Sequence, residues 1–280
     1  MIGLLLGAAL AGSLHDARGV EVSVDEPKRI VVLGPAPAET VLGLGLDAAI
    51  VGVDAGSKVV PGLADRAVLG YHRQVAPEGV LALGPDLIIA TEAAGPPAAL
   101  AQLESTGVPL FVLTEAPGVA AVKKRTRDLG MLLDRAAAAE TMLTKLARDL
   151  EAARAVAPAK PPRVVFVYAR GAGAMSVSGT GTAADAMIAL AGGLNAVDGY
   201  EGYKPLTPEA LVTAAPDVLL LTERGLQSLG GEQGLRGQPG VAQLPDLRIA
   251  SVEDALLLSF GPRTGEGAKA LAEALGDASK

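Results

Sequence analysis

Tyr71 and Arg73 stand two residues apart in the stretch Gly70-Tyr71-His72-Arg73. In an extended segment residues i and i+2 share a side, so the guanidinium can sit beside the phenol oxygen. A free tyrosine ionises only near pH 10, and a neighbouring cation favours the charged form. Arg73 itself stays charged throughout. The pair could therefore present a hard, anionic oxygen donor. From spacing alone, a surface loop aromatic next to a solvated charge is the more ordinary account of it. Two acids form a second pattern. Glu78 and Glu209 each follow a proline and lie 131 residues apart, as do Asp86 and Asp217, Pro85 and Pro216, and Glu92 and Glu223.

These residues sit in a repeat. Pro77-Glu78 followed by GVLALGPDLIIATE returns as Pro208-Glu209 followed by ALVTAAPDVLLLTE. Each copy predicts a short helix opened by proline in its first turn, a Pro-Asp corner and a buried apolar strand. Taken in order, the chain predicts strands over 29–33, 49–53, 87–91 and 110–113, and helices over 39–44, 76–83 and 98–106, with residues 34–37 as a loop and Gly107 as a helix C-cap. Strand alternating with helix argues for a parallel, helix-covered sheet. Residues 117–157 are Ala-rich and charged, and predict a short helix and then a long one over 135–156 capped by Asp134, about 33 Å at 1.5 Å per residue. Pro158, Pro161 and Pro162 stop it. The pattern restarts with a strand over 162–167, a glycine-rich loop over 171–182, a helix over 182–191 and a loop over 200–206. After the second repeat come a strand near 249–252 and a final helix. The predicted class is α/β, with two Rossmann-like lobes of parallel-rich sheets joined by one long helix. The N-terminal lobe is assigned to 27–116, the connecting helical segment to 117–157 and the C-terminal lobe to 162–280.

Composition narrows the function. The 280 residues carry a net charge of −7, which disfavours a nucleic-acid footprint. There is no Cys, so disulfides, thiolate metal sites, Cys nucleophiles and a lipid-anchored N-terminal Cys are excluded. There is no Trp and there are three Phe, so the cores must be aliphatic. The opening MIGLLLGAALAGS reads as the apolar core of a secretory signal ending in small residues, assigned to 1–17. No apolar run is long enough to span a membrane.

The repeated unit, the opening RIVVLGPAPAETVLGLGL and the long central helix resemble the helix-backbone class of periplasmic substrate-binding proteins, which serve ABC importers for haem, cobalamin and ferric siderophores. Within it, GYHRQVAPEGVLALGPDLIIA, AGPPAALAQLESTGVPL, TAADAMIALAGGLNA, GYKPLTPEAL and FGPRT resemble the haem-binding branch. The resemblance covers nearly the whole chain from Arg29. It implies a monomeric periplasmic protein without catalysis, which takes ferric haem into a crevice between lobes and delivers it to an importer. Tyr71 is then the ligand to haem iron, a recognised ligation class, with Arg73 at the phenolate. His72 stands where the branch usually has an apolar residue, and is a bystander, a supporting partner near a propionate or a further ligand. In the second lobe Tyr203, Lys204 and Arg263 are the supporting candidates. Lys and Arg suit the propionates, and the glycine-rich stretch 171–181 could let backbone approach the flat macrocycle. Glu78 and Glu209 would dock, one per lobe, on a two-fold permease dimer, with Glu39 a weaker candidate. Their alternative reading is complementing the helix dipole from the first turn. A cobalamin or ferric-siderophore binder of the same architecture is the nearest alternative. An enzyme on such a scaffold is disfavoured by the lack of Cys ligands, of a Gly-x-Ser-x-Gly motif and of more than two His.

Overall fold

The computed structural model of the chain describes residues 13–171 and 175–276. The expected leader lies outside the described residues as far as residue 12. Its last residues are folded: Leu14–His15 (β1) pairs antiparallel with Glu21–Val22 (β2). The buried Asp16 carboxylate accepts the Val112 and Val20 amides and the Arg18 guanidinium. Contacts divide the chain into two compact units, one running to Glu115 and including Lys123–Met142, the other comprising Ala116–Val122 and everything from Leu143 on.

In the first unit the parallel strands Ile30–Leu33 (β3), Ile50–Val53 (β4), Ala67–Val68 (β5), Leu87–Thr91 (β6) and Leu110–Leu113 (β7) form one sheet in the order β5-β4-β3-β6-β7. Their residues are apolar without alternation because helices cover both faces. Ile30, Val32, Leu87, Ile89 and Phe111 pack with one set of helix residues, and Val31, Leu33, Ile88, Ala90 and Val112 with another. The covering helices are Pro35–Gly43 (α1), Pro77–Leu81 (α2) and Pro97–Ser105 (α3). The first begins four residues before the expected Glu39, because prolines fit a first turn, whose amides have no helical partner. Glu39 is consequently inside α1 and only 8% exposed, which removes it as a docking residue.

Val119–Leu132 (α4) leads into the long helix Ala136–Val156 (α5). Asp134 does not cap it. It takes a left-handed conformation (φ 52°) in the tight link, which Asp tolerates, and the Arg135 carbonyl instead accepts the Ala139 amide of the first turn. Along α5, Ala139 belongs to a first-unit core and Leu143, Leu146 and Ala153 to a second-unit core.

The second unit contains Arg163–Ala169 (β8), Met175–Ser178 (β9), Ala183–Leu190 (α6), Leu194–Asn195 (β10), Tyr203–Pro205 (β11), Pro208–Ala214 (α7), Val218–Thr222 (β12), Glu223–Ser228 (α8), Gly231–Arg236 (α9), Arg248–Val252 (β13), Asp254–Leu258 (α10) and Thr264–Gly276 (α11). β8, β12 and β13 are parallel, as expected. Two predicted loops are partly strand: β9 pairs antiparallel with the end of β8, and β11 antiparallel with β9. Short segments such as these, with β11 at the sheet edge and holding Pro205, have no apolar period long enough to declare themselves.

The Pro-Asp repeat is explained by this architecture. Asp86 accepts the Lys28 and Arg29 amides just before β3, and Asp217 accepts the Arg163 amide at the start of β8. The side chains of Arg29 and Arg163 reach carbonyls at or just past the carboxyl ends of α2 and α7, at Leu83 and Gly84 and at Ala214 and Ala215 respectively. Cations belong at helix C-termini. One left-handed position is filled by different residues in the two copies. Gly84 (φ 55°) corresponds to Ala215 (φ 42°), and only the glycine is free of the left-handed penalty. Ala215→Gly is expected to stabilise the protein by about 1 kcal/mol, read as a higher urea midpoint at unchanged m-value.

Candidate functional site

Loops beyond the carboxyl ends of parallel strands are where such sheets bind ligands. In the first unit these positions are held by Gly34 after β3, Asp54 after β4, Tyr71 after β5, Glu92 after β6 and Glu115 after β7. Tyr71 is extended (φ −87°, ψ 129°), and the chain then turns at once into a 3-10 helix over His72–Gln74, with the Gln74 amide donating to the Tyr71 carbonyl at 2.8 Å. The extended geometry meant to put Arg73 on the side of Tyr71 thus stops at Tyr71. Arg73 makes an exposed ion pair with Glu115 at 3.7 Å. Tyr71 is 41% exposed, and among the described residues its hydroxyl has no hydrogen-bond partner.

His72 is not a solvated bystander. Its side chain is 12% exposed, and Nδ1 lies 3.1 Å from Asp54 Oδ2. Asp54 is fully buried and accepts the Gly34 and Gly56 amides, each at 3.0 Å, and the Ser57 hydroxyl. Burial opposes its ionisation, but hydrogen bonds from His72, Ser57 and Gly56 together hold its carboxyl below the usual range. An ionised carboxylate only accepts, so His72 Nδ1 carries the proton in this bond. Asp54 escaped the sequence reading. Its signal was a lone acid directly after an apolar strand, in IVGVDAGS.

The depressed Asp54 value fixes a pH dependence. Ionised Asp54 stabilises the fold above the unfolded carboxyl value near 4, and that contribution is lost as pH falls through the lower folded value. Urea unfolding followed from pH 6 downward should show a steeper acid decline in the parent than in Asp54→Asn.

In the second unit, three of the four tyrosines gather around β9 and β11. Tyr203 meets Tyr168 edge-on at 6.3 Å, and burial raises its phenol above the usual value. Lys204 Nζ sits 4.2 Å above the Tyr200 ring, a cation–π contact, and the Tyr200 hydroxyl donates to the Val177 carbonyl. Arg170, which the sequence reading passed over, donates to the Tyr168 hydroxyl at 2.8 Å. Arg263, just before α11, pairs with Glu253 at 3.3 Å. The glycine-rich stretch is not all loop. Gly179 is required because a Cβ there would lie 2.2 Å from the Tyr200 carbonyl oxygen, which is a packing reason.

Glu78 and Glu209 occupy the first turns of α2 and α7. Both are exposed, and among the described residues neither side-chain carboxylate has a hydrogen-bond or ion-pair partner. Their neighbours in the repeat, Asp86 and Asp217, accept backbone amides instead. Hollows of about 800 Å³ in the first unit and 760 Å³ in the second open at the amino-terminal ends of strands, and none of the predicted site residues lines them. Among the described residues no group of three or more His, Cys, Asp or Glu could hold a bare metal ion, and no helix is long and apolar enough to cross a membrane.

Comparison with known proteins shows the family. The sequence pattern of the family described as periplasmic binding protein matches residues 30–248, and the chain belongs to that family. It is a binding protein, not an enzyme. A cobalamin-binding protein of Halobacterium salinarum is 32% identical over 217 residues, 73% of this chain, and the chain spans only 57% of that relative's length. Among solved structures, the periplasmic haem-binding protein RhuT from Roseiflexus sp. RS-1, in its apo form, is 38% identical with a TM-score of 0.84, covering 90% of this chain and 99% of the other. The periplasmic haem-binding protein BhuT in complex with two haems is 39% identical with a TM-score of 0.84, covering 89% and 98%.

Proposed function

We propose that this chain is the periplasmic haem-binding component of an ABC importer, capturing ferric haem and delivering it to a permease dimer. Tyr71 is the residue that binds haem iron. The observation that carries this reading is its placement: a half-exposed phenol beyond the carboxyl end of a parallel sheet, its oxygen unengaged, with Arg73 on the same turn. Arg73 supports the phenolate after exchanging Glu115 for it. The Arg73–Glu115 pair is exposed and long, so it holds Arg73 weakly. Tyr203, Lys204 and Arg263 support the ligand from the second unit, Lys204 and Arg263 through the propionates. Glu78 and Glu209 dock on the permease. The similarity to two haem-binding structures supports haem as cargo.

The second reading is cobalamin, favoured by the Halobacterium relative. The test is a titration of the purified protein with ferric haem, cobalamin and a ferric siderophore, each followed by absorption. Saturable uptake of haem with a tyrosinate-type high-spin spectrum is expected. Saturable binding of cobalamin alone would replace haem with the second reading.

A further inference from the structure

We propose that His72 is a positioning residue for Tyr71: tethered through Nδ1 to the buried Asp54 carboxylate, it fixes the turn from which the phenol is offered to the ligand. The inference rests on Tyr71 being the iron-binding residue, and it gives His72 and Asp54 roles that the ligand itself does not require.

Asp54 is a hub for the carboxyl ends of three neighbouring strands. It takes the Gly34 amide beyond β3, the Gly56 amide and Ser57 hydroxyl beyond β4, and the His72 ring beyond β5. In the sheet these strands are adjacent, in the order β5-β4-β3. Backbone bonds hold the turn on either side of Tyr71. The Ala55 amide donates to the Gly70 carbonyl at 2.6 Å, and the Gly95 amide to the His72 carbonyl at 3.0 Å. The Tyr71 side chain is held by neither. The ring contact recorded for it is His72, edge-on with centroids 4.7 Å apart. A carboxylate behind a histidine fixes ring orientation and tautomer in many binding sites; here the fixed ring stands against the ligand residue.

The same geometry argues against His72 as a second ligand beside Tyr71. A haem iron offers one axial position on each face, and two neighbouring side chains this close approach from one side. His72 Nε2 has no partner among the described residues, so the tether through Nδ1 is the side-chain bond that holds the ring.

The test uses the whole protein labelled with 3-fluorotyrosine. The chain has four tyrosines, and Tyr71→Phe assigns the Tyr71 fluorine line. The variants are His72→Ala and His72→Asn, whose side-chain amide replaces the Nδ1 donor. Both lack the imidazole, so its shielding of Tyr71 cancels between them and the tether alone distinguishes them. In the ligand-free protein the Tyr71 line is expected to be narrower in His72→Ala than in His72→Asn. Ferric haem affinity is expected to fall about 10- to 100-fold in His72→Ala and to recover in His72→Asn, with the tyrosinate-type spectrum retained in both. A Tyr71 line equally broad in the two variants would overturn the proposal. So would a change of spectral class in His72→Ala, which would make His72 a ligand. If the parent takes up no haem, the Tyr71 ligand reading fails instead, and the fluorine line width still decides whether His72 positions Tyr71.

Discussion

Tyr71→Ala is expected to lower ferric haem affinity by at least about 100-fold, roughly 2.7 kcal/mol, and to remove the tyrosinate-type spectrum. The size follows from losing a coordination bond rather than a contact. No other tyrosine is placed to substitute. Tyr168 and Tyr200 have their hydroxyls in hydrogen bonds to Arg170 and Val177, and burial raises the phenol value of Tyr203, which makes its phenolate harder to form. Tyr71→Phe separates ring from oxygen. It keeps the aromatic surface and the edge contact with His72, yet should lose as much affinity as the alanine variant. Arg73→Ala should lose less, because it removes a charge beside the phenolate and leaves the bond in place. The measurement is a haem titration by absorption against a competing haem binder. Parental affinity in Tyr71→Phe would sink the assignment of the oxygen as ligand.

The second large effect is on delivery. Reversing both exposed acids, in Glu78→Lys with Glu209→Lys, is expected to weaken binding to the cognate permease by at least about 100-fold while leaving haem affinity unchanged. Close charge pairs at interfaces couple by about 1.5 kcal/mol or more, so each reversal alone should cost about tenfold. The two sites belong to separate units and share no partner, so the two losses should add. A helix-dipole role predicts something different. An acid in a first turn contributes about 0.3–1 kcal/mol to its own helix, so its loss would lower the urea midpoint and spare permease binding. Measuring both quantities on the single and double variants separates the two roles. Permease affinity unchanged in the double variant would leave these residues as helix-terminus acids only.

How far the fold was legible differs from segment to segment. β3, β6, β8 and β12 were readable because every residue of their central runs is apolar, the signature of strands covered on both faces. The Pro-Glu and Pro-Asp repeat was readable because proline, turn and strand follow one another locally. β9 and β11 were not, since so short a strand owes its hydrogen bonds to neighbours elsewhere in the chain. The start of α1 was missed by treating prolines as loop residues when they were first-turn residues.

The site divides along the same line. The sequence by itself determined two α/β units, the paired acids in equivalent first turns, and a tyrosine and an arginine two residues apart. Each of these is written in local order or in a repeat. Only the tertiary structure decided that the segment after Tyr71 turns rather than extends, that Arg73 rests on Glu115, and that His72 is held by a buried acid 18 residues earlier in the chain. The physical reason is that burial and hydrogen bonding at Asp54 depend on the carboxyl ends of three parallel strands meeting in space. Crossovers through helices bring those ends together, and no periodicity within the stretch Gly70–Arg73 records it.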